Sequence, residues 1–196
     1  MKPKLSILTP AIWERLDSTH ANAQRIARLI GNLPVEHLVL FDNRARSVGL
    51  KRQALLDAAR GDYIVYVDDD DDITDEFIPY VLAAIKRNPD VITYDQRAIY
   101  NGIESTVNFA HTNVDSPFAP NGITHRNLWH VCTWKRELVA DCVFPDSMYG
   151  EDLQWSLQAR LRVKSECHID KVLHHYTHDK ETTAAPETNT KIQTRP

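Results

Sequence analysis

Between Lys4 and Asp95 the chain alternates short apolar runs with segments whose apolar residues return every three or four positions. Lys4 to Thr9, Val35 to Phe41, Tyr63 to Val67 and Asp90 to Tyr94 are too short for helices and are bounded by turn-forming residues, so they read as buried strands. Pro10 is expected to break the first. Ala23, Ile26, Ala27 and Ile30 trace one face of a helix between Asp17 and Gly31, with Gly31 as its stop. Ser47 is placed to cap a second helix that runs through Arg60 and closes at Gly61, and a third is expected from about Asp75 to Arg87. Strands and helices in alternation predict a parallel sheet covered on both faces.

After Asp95 the pattern changes. Asn101-Gly102 is a strong two-residue turn signal and predicts a hairpin from Gln96 to Phe109. Ala110 to Gly122, polar and proline-containing, predicts a long surface loop. Leu128 to Trp134 reads as a strand and Arg136 to Asp141 as a short helix. Glu151 to Arg162 reads as an amphipathic helix with Leu153, Leu157, Ala159 and Leu161 facing inward. Cys167 to Tyr176 is expected to close the sheet. From Asp179 onward there is little to bury, which predicts a disordered tail over residues 179–196.

The strand at Tyr63 ends in five aspartates, Asp68 to Asp72. Neighbouring carboxylates at an effective dielectric of about 20 repel by a few kcal/mol per close pair, so a cationic partner is expected. Carboxylates at the carboxyl end of a parallel strand suit Mg²⁺ or Mn²⁺, which take one or two protein carboxylates and fill their shells with water and phosphate oxygens. Asp68 and Asp70, on one side of the chain if it stays extended, read as a metal and diphosphate site. The plain alternative is a solvated acidic loop in which Thr74, Asp75 and Glu76 cap the next helix.

Other clusters carry a functional and a plain reading alike. Asp42 ends the second strand on the same sheet edge, as a turn former or as a contact to a nucleotide base or ribose. Lys51 and Arg52 lie in the first turns of the helix capped by Ser47, where cations are unfavourable unless an anion is near. They read as phosphate contacts or as side chains reaching into solvent. Gly150-Glu151-Asp152 opens a helix, either as ordinary first-turn acids or as the positioned base that transfer to a hydroxyl needs. His174, His175 and His178 crowd the last strand and read as a surface cluster before a metal site. Trp129, His130 and Trp134 read as core or as a sugar-stacking wall.

At 196 residues the chain is long enough for one full core, which makes residues 1–178 a single domain. No apolar run is long enough to span a membrane or to serve as a signal peptide. Cys132, Cys142 and Cys167 lack metal-ligand spacing and read as reduced thiols, which points to the cytoplasm. A net charge of −4 offers no global attraction to nucleic acid or anionic membrane.

The series LSILTP, LVLFDN, SVGLKRQALLDAARGDYIVYVDDDDDI, HVCTWKREL, YGEDLQWSLQAR and LHHYTH, in that order from Lys4 to His178, resembles a family 2 glycosyltransferase with the GT-A fold. It is nearest in kind to the small stand-alone versions of bacteria and bacteriophages. The resemblance implies an α/β, Rossmann-like, mostly parallel central sheet with helices on both faces. Residues 1–95 would form the nucleotide-sugar half and residues 96–178 an acceptor-side half. It also implies inverting transfer from a nucleotide-diphosphate sugar to an acceptor hydroxyl with Mn²⁺ or Mg²⁺, Asp152 acting as general base and Glu151 helping to bind or orient the acceptor. Thr9, Pro10, Asp42, Lys51, Arg52, Asp68 and Asp69 would line the donor site. Asp70 would be the chief metal ligand with Asp68, His178 would lie near the diphosphate and metal, and His130 with Trp134 would form an acceptor wall. Five aspartates leave the register open, since Asp69 with Asp71 also fits the motif. Nothing between Lys4 and His178 reads as the added domains or membrane helices of larger relatives.

Two rival readings differ in class. Asp70, Asp72 and Thr74 satisfy the DxDxT pattern of haloacid-dehalogenase-type phosphatases, although that nucleophile directly follows a strand near the chain start. A non-catalytic nucleotide- or cation-binding module is the other. The acceptor is either a glycan precursor or, for a phage-type enzyme, a hydroxymethylated pyrimidine in DNA, where Arg44, Arg46, Lys51 and Arg52 would reach the backbone.

Overall fold

A computed structural model describes residues 2–42 and 44–178. The expected tail lies outside the described residues. Strands β1 (Leu5–Ile12), β2 (Val35–Asp42), β3 (Tyr63–Tyr66), β5 (Val91–Tyr100) and β9 (Glu166–His178) all run in one direction, with β2, β1 and β3 as direct parallel neighbours. The short β8 (Thr133–Lys135) sits antiparallel between β3 and β5, and β6 (Ile103–Phe109) takes over from it along β5. β7 (Ile123–Arg126) forms the far edge beside β6, and β4 (Asp72–Ile73) pairs with β9. The sheet is mostly parallel, as expected, but β8 interrupts the parallel run.

Alternation along β1 and β3 sorts the core into two layers. Leu8, Ile64 and Tyr66 face α2 (Val48–Ala58) and α5 (Glu151–Arg160), whereas Leu5, Ile7, Tyr63 and Val65 face α1 (Leu16–Ile30) and α3 (Phe77–Ile85). Ser47 caps α2 by accepting from the Leu50 amide at 3.2 Å. The Asn101-Gly102 hairpin forms as predicted, with both residues at positive φ (48° and 80°), the backbone its tight turn requires.

Several boundaries differ from the sequence reading. β1 does not stop at Pro10 but continues to Ile12. Lys4 and Leu8 turn their carbonyls toward β3, so Pro10, in step with them, directs its missing N–H to a side that β3 has already left. β2 is half-buried because it is an outer strand of the sheet. Helix α2 stops at Ala58, short of Arg60, and Thr74 does not cap α3, its Oγ1 having no hydrogen-bond partner among the described residues. Of the expected Leu128–Trp134 strand only Thr133–Lys135 forms.

The largest correction concerns α5. Leu153, Leu157 and Leu161 face outward, at 39%, 49% and 90% exposure. The inward face is Glu151, Trp155, Ser156 and Ala159. Trp155 decides the rotation: its ring stacks on Phe144 at 4.9 Å and meets Trp134 and Tyr66 edge-on at 5.4 and 6.1 Å. One buried indole outweighs a leucine stripe because it hides more apolar area and gains aromatic contacts besides.

Candidate active site

The carboxyl ends of β1, β2 and β3 share one edge, and the aspartate run leaves β3 there. It does not stay extended. The Asp71 amide donates to the Asp68 carbonyl at 3.0 Å, and this turn sends successive carboxylates in different directions. Arg52 grips Asp68 with two hydrogen bonds of 2.7 Å. Arg15 reaches Asp69 at 2.7 Å and Asp70 at 3.0 Å, and the Ile12 amide also donates to Asp69. Arg25 takes Asp72 at 2.6 Å. Asp71 is buried, with its Oδ2 3.5 Å from His174 Nε2. The cations expected to offset the acidic run are therefore largely arginines of the chain itself.

Neither Lys51 nor Arg52 reaches into solvent; each is 3% exposed. Lys51 Nζ lies 2.6 Å from Asp42 Oδ1 and donates to the Ala11 carbonyl at 2.8 Å, so the second strand's terminal carboxylate meets a lysine. Asp42 Oδ2 keeps no hydrogen-bond partner among the described residues. Arg52 also donates through Nε to Glu151 at 3.3 Å and lies over the Tyr66 ring at 5.4 Å. One guanidinium thus ties the end of β3 to the start of α5. Gly150, at φ 72°, supplies the left-handed turn that starts this helix beside Arg52.

These contacts set the acidities. Burial alone would raise Asp68, but the Arg52 guanidinium outweighs it and holds Asp68 at about 2. Burial raises Asp70 to about 6, Arg15 opposing and the neighbouring aspartates assisting. Asp71 is pushed well above the ordinary range by burial and then by Asp68 and Asp70. Burial also raises Glu151 despite Arg52. His130 falls to about 4 and His174 to about 3, chiefly through burial, so both rings are neutral near pH 7.

Two clefts open on this edge. A cation-rich one of about 300 Å³ is lined by Arg15, Arg46, Lys51, Arg52 and Asp70, together with Pro10. An aromatic one of about 500 Å³ is lined by Tyr100, Phe118, Trp129 and His130. Asp68, Asp152 and Tyr176 line both. Asp152 sits in the first turn of α5, its Oδ1 accepting from the Leu153 amide at 2.7 Å and its Oδ2 3.7 Å from His130 Nδ1.

The sequence profile of glycosyl transferase family 2 matches residues 17–138, more than half of the chain. The chain belongs to glycosyl transferase family 2. Membership displaces the phosphatase reading, and Asp72 of the DxDxT pattern is held by Arg25 and paired in β4. The matched span ends before Glu151 and Asp152, so their place beside Asp68 is visible only in the fold. Among curated proteins none matches. Among solved structures, S. aureus TarS is similar at TM-score 0.61 and 16% identity, over 89% of this chain and 37% of TarS. S. aureus TarS 1–349 in complex with UDP-GlcNAc gives 0.60 and 15%, over 93% of this chain and 61% of that one. The UDP complex gives 0.59 and 17%, over 91% and 61%. The chain therefore spans less than two thirds of each of these chains and shares their fold.

The structure brings together Asp42, Lys51, Arg52, Asp68, Asp69, Asp70, Glu151 and Asp152, along with Pro10. Thr9 lies one step back in β1, its hydroxyl 2.9 Å from His37 Nε2. Trp134 is a correction: it is wholly buried, packed on Trp155, and donates its indole N–H to the Trp129 carbonyl at 3.0 Å, so it cannot face a ligand. Trp129 lines the aromatic cleft in its place. His174 is not a surface residue but is fully buried against Gln96. His178 ends β9 with its ring 5.5 Å from that of Tyr100, beside Thr177 of the cation-rich cleft. Sequence reasoning missed Arg15, Gln96 and Tyr176, and named Asp71 only as an alternative register of the aspartate motif. Arg15 was findable, since it follows β1 at the strand edge where ligands bind in such sheets.

Proposed function

We propose that the chain transfers a sugar from a nucleotide-diphosphate sugar to an acceptor hydroxyl with inversion, the donor occupying the cation-rich cleft and the acceptor entering from the aromatic one. One observation carries this: Asp152 stands on the wall common to both clefts, where a base between donor and acceptor must stand. The acceptor oxygen forms a bond to the anomeric carbon from the face opposite the diphosphate, the bond from that carbon to the phosphate oxygen breaks, and Asp152 takes the hydroxyl proton. The UDP-GlcNAc complex of the similar TarS 1–349 supports a nucleotide-sugar donor. Asp42, with Oδ2 unengaged, is assigned to the nucleotide base, and Pro10 to the cleft wall, with Thr9 supporting it from behind.

Arg52 is a positioning residue in this reading. Its guanidinium is committed to Asp68 and Glu151, and so it fixes the base-bearing helix against the aspartate run. Exposed Arg46 in the same cleft suits the diphosphate better.

The residues fit a divalent ion held by few carboxylates. Among the described residues no three His, Cys, Asp or Glu converge as a ready cage, and Mn²⁺ or Mg²⁺ with a diphosphate needs only one or two carboxylates. Asp70, 35% exposed at its side chain, is the cleft carboxylate assigned to hold it, whereas both Asp68 oxygens are taken by Arg52. Such an ion, when bound, neutralises charge on the departing diphosphate.

The test is Asp152→Asn. Nucleotide-sugar affinity by calorimetry should be unchanged, while transfer falls by about 10²–10⁴, the usual contribution of a positioned base. Near-normal transfer would remove Asp152 from the mechanism and leave Glu151 as the next base to test.

A further inference from the structure

The aromatic cleft carries an uneven charge. Asp68, Asp115 and Asp152 line it as carboxylates against one arginine, Arg126, among the described lining residues. Arg52 neutralises Asp68 from behind, but Arg126 is turned to the backbone carbonyls of Ser116 and His125. Asp115 is fastened at the rim, accepting from the Asn127 amide at 2.7 Å and lying 4.0 Å from Arg160. A phosphate, sulfate or carboxylate entering here meets like charge in a site that excludes much of the water able to screen it.

A second observation is independent of charge. Asp71 and His130 are 5% and 6% exposed and line this cleft, yet Asp71 Oδ1 and His130 Nδ1 find no hydrogen-bond partner among the described residues. Buried polar atoms left so are costly unless a ligand or water completes them. A hydroxyl both donates and accepts, so it can satisfy a carboxylate oxygen and a ring nitrogen in either tautomer. An anion cannot satisfy the Asp152 carboxylate. The walls are the rings of Tyr100, Phe118, Trp129 and Tyr176, surfaces suited to the C–H faces of a saccharide ring.

We infer that the aromatic cleft binds the terminal sugar of an uncharged glycan acceptor, with Asp71 and His130 bonding its hydroxyls, and that it rejects polyanionic acceptors, DNA included. This rests on the assignment of Asp152 to the wall between donor and acceptor.

The experiment uses the full chain with UDP present and a panel of immobilised probes: uncharged hexose and N-acetylhexosamine oligosaccharides, carboxylated and sulfated oligosaccharides on the same backbones, and single-stranded DNA. Uncharged members should bind at least about tenfold tighter than their anionic counterparts, with the gap widening as salt is lowered. Asp115→Asn, which keeps an oxygen for the Asn127 amide, should narrow the gap by about twofold to fivefold. Trp129→Ala should weaken every saccharide by about tenfold and leave nucleotide-sugar affinity unmoved. Preference for sulfated or carboxylated glycans or DNA, an unchanged gap in Asp115→Asn, or no binding of uncharged glycans while nucleotide sugar still binds would each overturn the inference. The donor arm reports separately. A chain that binds uncharged glycans but no nucleotide sugar with any metal would refute the transfer reading and leave the glycan preference standing.

Discussion

The two clefts that meet at Asp152 treat buried charge in opposite ways. In the cation-rich cleft Arg52 spans Asp68 and Glu151, Lys51 sits on Asp42, and Arg15 bridges Asp69 and Asp70. In the aromatic cleft Asp71 Oδ1 and His130 Nδ1 have no protein hydrogen bond among the described residues. The first cleft therefore owes its shape to ion pairs closed within the chain. The second keeps its hydrogen-bonding capacity open, at a cost in stability, for whatever enters.

Breaking a closed pair should produce the largest effect. Arg52→Ala leaves Asp68 and Glu151 in a buried site without their cation, and the fold should lose about 3–5 kcal/mol in urea denaturation. Arg52→Lys keeps the charge but not the two-pronged grip, so it should recover much of that stability while transfer stays depressed at unchanged donor affinity. Full activity in Arg52→Lys would show that the guanidinium geometry does not position Glu151 and Asp152.

Asp70 is the most open carboxylate of the aspartate run to face the cation-rich cleft, and its effects should be intermediate. Asp70→Asn should remove the Mn²⁺-dependent strengthening of nucleotide-sugar binding, a loss of about tenfold or 1.4 kcal/mol. Its acidity gives a second readout in divalent-free buffer. With Asp70 raised from 3.8 to about 6, the folded chain holds this proton where the unfolded chain has lost it, so stability falls as pH rises from about 4 to 6. Asp68, held at about 2, acts with the opposite sign: its contribution is complete above about 4 and is lost as pH falls toward 2. Asp70→Asn should gain under about 1 kcal/mol at pH 7, since a third of the side chain faces solvent, and nothing at pH 4. An identical pH profile for both proteins would contradict the assignment.

Asp71→Asn should behave unlike a broken pair. Its Oδ1 loses no partner and a buried charge is avoided, so stability at pH 7 should hold or rise by about 1 kcal/mol. Destabilisation on the scale of Arg52→Ala would mean that the aromatic cleft is closed by pairs as well. Leu157→Gln marks the lower limit: on the outward face of α5, remote from both pairings, it should shift stability by no more than about 0.5 kcal/mol.

Much of the scaffold was legible along the chain. The Ser47 cap, the stop at Gly31 and the Asn101-Gly102 turn rest on interactions between residues close in sequence, and the strand at Tyr63 shows as an apolar run although distant strands hold it. The aspartate run was equally plain as chemistry, because like charges in a row demand a counter-charge. Its partners were not legible. Arg52 and Glu151 are separated by 99 positions, and nothing local distinguishes an arginine that turns inward from one that reaches into water.

By itself the sequence determined the alternation of strands and helices, the sheet edge on which the carboxylates gather, and the resemblance to a family whose profile covers residues 17–138. Only the tertiary structure decided that Trp155 and not the leucines turns α5 inward, that Trp134 is core while Trp129 lines a cleft, and that Asp152 lies on the wall of both clefts. The division has a physical reason. Periodicity, capping and turn chemistry are short-range and compete only with their immediate neighbours, so they can be read in order. Which face of a helix is buried, and which charge meets which, depend on the area and the cations that distant segments bring to the same place.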